Sequence, residues 1–104
     1  MITLFLTCAD REEAQKISDK LLDEKLAACV RVTDVKSDFL WKGKKEHAEE
    51  ALLIIDTIQE KFDEIEEVVK SIHRYETFVL TAYPVARSSA GVEEWVREVL
   101  NVGD

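Results

Sequence analysis

Two histidines, two cysteines and a run of carboxylates are the residues of this chain that can hold a metal ion or move a proton. His73 ends a predicted helix, where an imidazole serves either as a ligand or as a complement to the helix dipole. Cys29 lies in the strand-like step Ala27-Ala28-Cys29-Val30, as a metal ligand ranked after His73 or as a small buried packing residue. Glu46, Glu49 and Glu50 with His47 offer oxygen and nitrogen donors. On a strand, alternation puts Glu46 and Glu50 on one face with Ala48 and sends His47 and Glu49 to the other, so the four cannot share one ion within a chain. A solvated strand face is the plainer reading of these four. Trp41, Tyr75, Tyr83 and Trp95 could line a ligand cleft or fill a core or subunit contact, with Trp41 and Tyr75 kept as the cleft candidates. No spacing sets a nucleophile beside a base, as acyl transfer needs, which argues against an enzyme.

The elements that must position these residues can be read from periodicity. Ile2, Leu4 and Leu6 alternate with Thr3, Phe5 and Thr7, a central strand with apolar residues on both faces. Asp10 followed by Glu13 resembles a capping box, and Ala14, Ile17, Leu21 and Leu22 then recur at helical spacing, giving a helix to about Leu26. Residues 27–41 read as a strand and Lys42-Gly43-Lys44 as a turn. Residues 47–53 are rich in Ala, Glu and Leu, a helical composition by propensity. The Gly turn before them and the apolar run 52–55 after them argue for a strand. Thr57 and Glu60 suggest a second capping box, opening a helix with Ile58, Phe62, Ile65, Val69 and Ile72 as its stripe. Residues 78–83 form a strand stopped by Pro84. Ser88 or Ser89 can cap a last helix that carries Val92, Trp95, Val96 and Val99 and ends near Asn101, ahead of Gly103.

The order β-α-β-β-α-β-α is an α+β, ferredoxin-like βαββαβ pattern with an added C-terminal helix and a long central β-hairpin. Such a fold hosts several functions, so the site must decide. An RNA-recognition module needs exposed aromatics with basic residues, and residues 78–83 lack the basic Gly-aromatic motif. A heavy-metal carrier of this fold needs Cys-x-x-Cys, and here Arg11 stands where the second thiol belongs. An acyl-phosphate hydrolase needs a Gly-rich phosphate loop, and residues 7–13 contain no Gly. The hairpin over residues 37–55 overruns a small domain and leaves open edges that another chain should cover.

With 104 residues, the chain fits one domain over 1–104. Hydrophobic content of 46% with three Gly and one Pro is the profile of a folded chain. A net charge of -8 repels a phosphate backbone, so no nucleic acid is expected as a partner. The longest apolar run, 51–55, is too short to cross a bilayer, and Met1 leads into the first strand with no basic n-region, so no membrane partner and a cytoplasmic location are expected. Cys8 and Cys29 are expected as free thiols.

Three groups, Leu26-Ala27-Ala28-Cys29, Trp41-Lys42-Gly43 and His73-Arg74-Tyr75-Glu76-Thr77, resemble in order and spacing the CutA proteins, trimeric ferredoxin-like proteins linked to divalent-cation tolerance. The resemblance covers nearly the whole chain, from Leu6 to Trp95. It implies the long hairpin, a homotrimer, and a divalent transition metal, copper favoured, held weakly in an intersubunit cleft near His73. Copper is implied because the family's residues matching His73 and Cys29 have been invoked for it, and imidazole and thiolate suit it by softness. Glu46 and Glu50 match commonly acidic positions. No organic cofactor is implied, and a protein partner is unknown. Arg74 replaces Pro in His-Pro-Tyr, Phe78 replaces the second Pro, Val92 stands where a Tyr usually precedes the final Trp, and Asp56-Thr57 replaces Lys-Thr. The alternatives are a trimeric small-molecule sensor similar to the PII proteins, a protein-interaction scaffold, or a trimer with no dedicated ligand.

Overall fold

A computed structural model describes residues 1–101. Among these residues the chain forms four strands and three α-helices: β1 (Ile2–Cys8), α1 (Arg11–Asp23), β2 (Cys29–Trp41), β3 (Lys44–Thr57), α2 (Phe62–Ile72), β4 (Leu80–Pro84) and α3 (Val92–Val99). The sheet order is β2-β3-β1-β4 and every neighbouring pair is antiparallel. Alternation divides the sheet. Ile2, Leu4, Leu6 and Cys8 on β1 and Ala51, Leu53 and Ile55 on β3 are buried with Ala14, Ile17 and Leu21 of α1 and Ile65 and Val69 of α2. Each of the larger apolar side chains is worth about 1.5 to 3 kcal/mol of burial. On the opposite face, where no helix of the described residues packs, Phe5 and Tyr83 are in edge contact at 5.3 Å.

The hairpin is the longest element and is set by its turn. Trp41 pairs with Lys44, and both central residues, Lys42 and Gly43, have positive φ (51° and 78°), a type I′ geometry that fits the twist of paired strands. β1 covers β3 only from Ala51 to Thr57, so the pairs from Val35–Glu50 to Trp41–Lys44 project beyond the sheet by about 20 Å. The strand expected over 47–53 is therefore present despite its helical composition, because cross-strand pairing overrides propensity.

Element ends differ from the sequence reading where long-range contacts intervene. α1 stops at Asp23, not Leu26. Lys25 takes φ 55°, Leu26 N–H donates to Leu21 O (2.8 Å) and Lys25 N–H to Leu22 O (3.1 Å), a Schellman closure made without glycine. The second capping box does not form. Thr57 is the buried last residue of β3, its hydroxyl donating to Leu26 O at 2.6 Å, and a 3-10 turn at Gln59–Lys61 precedes α2 with no side-chain cap. Ile58 lies before that turn and packs with Val96 and Leu100 of the α3 region. Neither Ser88 nor Ser89 caps α3, which starts after Gly91 at φ 87°. β4 begins at Leu80, and Pro84 is its last paired residue, opposite Ile2; an edge strand tolerates the missing N–H. Asn101 takes φ 58° at the end of α3, and Gly103 lies outside the described residues.

Candidate functional site

The polar residues of the fold converge where β1 ends and α1 begins. Asp10 is extended (φ -159°) and accepts the Glu13 N–H at 2.9 Å, so the first half of the expected capping box forms. Glu13 completes it one residue early: Oε1 accepts the Ala9 N–H at 2.9 Å, not that of Asp10. The other oxygen, Oε2, accepts the Arg74 N–H at 2.7 Å, joining positions 61 residues apart, and Glu13 is only 2% exposed. The Arg74 guanidinium grips Asp10 with Nη1 at 2.8 Å and Nη2 at 3.3 Å, and its Nε lies 3.6 Å from Glu13. The Glu13 N–H and then Arg74 hold the Asp10 carboxyl below the usual carboxylate range.

His73 caps the end of α2 and turns its ring inward, with a fully buried side chain. Nε2 lies 2.8 Å from Thr7 O, and a carbonyl only accepts, so we assign the proton to Nε2. Nδ1 is then free to accept the Tyr75 N–H at 3.1 Å. The ring stacks on Phe78 at 5.4 Å and tilts against Tyr75 at 5.0 Å. A neutral imidazole in this geometry positions the 73–77 loop; a cation complementing the helix dipole would set a second N–H against that of Tyr75. Cys8 lies beside it, its thiol pushed up to about 12 by burial first and then by the charges of Glu13, Glu50 and Asp10, so it stays protonated and poorly nucleophilic. Cys8, Glu13 and His73 bring one sulfur, one oxygen and one nitrogen donor within 4.8 Å of one another, all buried. Every buried side-chain polar atom among the described residues has a hydrogen-bond partner.

The other expected site residues go elsewhere within a chain. Cys29 pairs with Asp56, opposite Thr3, four residues along β3 from the Thr7 level where His73 sits, or about 13 Å. It is a free, half-buried thiol beside a polar bridge in which Asp56 accepts from Thr3 Oγ1 (3.0 Å) and Arg31 Nη1 (2.8 Å). Glu46 pairs with Phe39 on the projecting hairpin, and Glu50 with Val35 at its base, so the two share a face but sit about 13 Å apart. Glu50 alone approaches the buried trio, where its charge, after burial, raises the Tyr75 phenol. Trp41 stands at the hairpin tip, 54% exposed, about 20 Å along the strands from Glu50, so Trp41 and Tyr75 do not form one cleft in a single chain. An open groove of about 420 Å³ runs past Ala9, Asp10, Arg11, Asp34, Glu49 and Glu50, with Arg11 bound to Asp34 at 2.8 Å. Sequence reasoning missed Cys8, Glu13 and Arg74 as one cluster. The available signals were the capping-box spacing and the Arg that replaces Pro.

Residues 2–99 match the CutA1 divalent ion tolerance protein family. The chain belongs to the CutA1 family. It is 39% identical over 97 residues to the divalent-cation tolerance protein CutA of Archaeoglobus fulgidus, covering 93% of this chain and 95% of that one. The solved Archaeoglobus structure superposes with a TM-score of 0.92 over 96% of this chain and 99% of that chain, and the Thermus thermophilus CutA1 structure, 31% identical, with 0.91 over 94% and 97%. The chloroplastic CutA of Arabidopsis thaliana is 33% identical over 92% of this chain, which spans only 53% of that relative. The Archaeoglobus and Thermus proteins are named for tolerance of divalent cations. The expectation of a cytoplasmic protein is overturned: the Archaeoglobus protein is described as periplasmic and the Arabidopsis one as chloroplastic, so the family is not confined to one compartment. No helix among the described residues is long and apolar enough to cross a membrane.

Proposed function

We propose that this chain is a divalent-cation tolerance protein of one domain with a ferredoxin-like strand order. It assembles as a homotrimer and responds to metal ions by binding a divalent transition metal, copper favoured. The observation that carries the reading is the uncovered sheet face. Phe5, Ile54 and Tyr83 continue onto Val35, Phe39 and Trp41 of the projecting hairpin, with Phe5 40% and Phe39 42% exposed in the lone chain. A stripe of that kind, flanked by an open β2 edge, calls for a second copy. The hairpin would carry Trp41, Glu46 and Glu50 toward a neighbour, where they and the half-buried Cys29 could join a shared cleft. The metal reading draws on the names of the relatives and on the nitrogen and sulfur donors near His73, which suit copper.

A PII-like sensor or scaffold is the second reading, favoured by one observation: both ring nitrogens of His73 are already engaged. Calorimetric titration of chelator-stripped protein with Cu(II) and Zn(II), beside His73→Ala and with light scattering for mass, separates the two. Saturable binding lost in the variant, on a trimer, supports the metal reading. Binding that is absent, or indifferent to His73, gives the protein to the sensor or scaffold reading.

A further inference from the structure

We propose that the groove between the end of α1 and the start of α2 docks a basic segment of a partner protein, one in which lysines or arginines flank an aliphatic side chain. This goes beyond the metal and assembly readings and depends on neither. The groove is open, holds about 350 Å³ and is lined by Glu24, Leu26, Asp63, Glu64, Glu67 and Val68. Its floor is apolar. Leu26 is buried at the Schellman closure of α1, and Val68 is half-buried against the core. Leu22, four residues before Leu26, leaves a further aliphatic side chain 43% exposed.

The rim is more acidic than the helix requires. Elsewhere Asp10, Asp34 and Asp56 are each paired with an arginine, and Glu24 is held by Lys20 at 2.6 Å. Asp63, Glu64 and Glu67 are exposed and enter no ion pair among the described residues. The α2 dipole accounts for Asp63 and Glu64, which lie in the first turn. It does not account for Glu67, which stands i+4 from Asp63 and i+3 from Glu64, spacings at which like charges repel along a helix. A cation laid in the groove relieves that repulsion, and its methylene stem or an aliphatic neighbour covers Val68 and Leu26, so charge and shape ask for the same occupant. The net charge of -8 steers such a segment from a distance. The α1 and α2 layer lies across the sheet from Phe5 and Tyr83, so copies that meet through that other face leave the groove open.

The test uses the full chain and a fluorescein-labelled probe, a lysine-rich peptide with two leucines one helical turn apart, read by anisotropy and mapped by amide NMR shifts. Saturable binding is expected, with the shifts gathered at Leu26 and residues 63–68. Glu64→Gln with Glu67→Gln should weaken the probe about tenfold, whereas Glu93→Gln with Glu94→Gln, the same charge change in the first turn of α3, should alter it less than about twofold. Val68→Thr, close in shape but polar, should weaken it about threefold, which charge attraction alone would not. Equal loss in the two glutamate pairs overturns the proposal, since the probe would then read only net charge. Shifts gathered instead at Ala9, Asp10, Glu49 and Glu50 overturn it, as does the absence of saturable binding. A light-scattering mass that falls in the Glu64→Gln, Glu67→Gln variant gives the groove to a second copy of the chain and overturns it as well.

Discussion

At the start of α1 the polar groups are paired inside one chain, whereas the outer face of the sheet, built on the same β1 and β3, leaves aromatic rings half in water. The first region buries Glu13, Cys8 and His73 and satisfies Glu13 and His73 with backbone N–H and carbonyl groups far apart in sequence. The second has strands that no helix of the described residues covers and a hairpin that runs past the end of β1. One strand pair thus faces two ways: its inner face is closed by the chain's own helices, and its outer face is left open by the described residues. The buried carboxyl of Glu13 is tolerable in the first region because its acceptor capacity is used, while on the second the one carboxylate between β1 and β2, Asp56, stays at the edge and is paired with Arg31 and Thr3.

The largest effect should come from putting a charge on the open face. Phe5→Glu places a carboxylate opposite Ile54 and beside Tyr83, on the surface read as the contact between copies. The expected outcome is loss of assembly, seen as a fall in light-scattering mass to that of one chain, with a lower melting temperature at fixed protein concentration. An assembly that persists unchanged would show that the copies, if they associate, use another surface.

The closed region should respond next, and locally. Glu13→Ala leaves the Ala9 and Arg74 N–H groups without an acceptor and opens space in the cluster. Each orphaned buried donor costs about 1 to 3 kcal/mol, so a loss of about 3 kcal/mol in denaturant stability is expected, with the assembled mass retained. A loss below about 1 kcal/mol would mean that water or a shifted loop replaces the carboxylate readily, and that the region is less closed than its hydrogen bonds indicate.

The open region was the more legible in sequence, because it depends on period and turn chemistry. The Lys42-Gly43 turn and the apolar run 52–55 point to the hairpin, which the family resemblance also implies, and Val35, Phe39 and Trp41 fall on one parity. The closed region rests on pairs that no local window contains. Asp10 and Glu13 show the capping box, but Glu13 also serves Arg74, 61 residues later. Thr57 and Glu60 show the same spacing and form no box, because the Thr57 hydroxyl is taken by Leu26 O, 31 residues earlier. α1 ends through Lys25 in a left-handed conformation that Gly would have announced and Lys does not. Cys29 ranks after His73 as a ligand in the sequence, and register places it four residues along the strands from the His73 level.

The smallest effect should appear in the pH dependence of the clamp, and its sign follows from the direction of the Asp10 shift. The Asp10 carboxyl is held below its ordinary value of 3.8, first by the Glu13 N–H and then by Arg74. Its contribution to stability is therefore complete above that value and lost as pH falls through the lower folded value. Arg74→Gln removes the second cause and leaves the first, so an NMR titration of Asp10 should move partway back toward 3.8 and no further. Cys8 works in the opposite sense. Its thiol is raised from 9.0 to about 12, so the neutral form it favours is fully present below 9.0 and fails only as pH rises toward 12. The closed region is thereby bounded by acid at its exposed rim and by base at its buried centre, and Arg74→Gln should move only the acid side. If the substitution also exposed Cys8 to a thiol reagent at neutral pH, the rim and the centre would be one mechanical unit, with the guanidinium holding both.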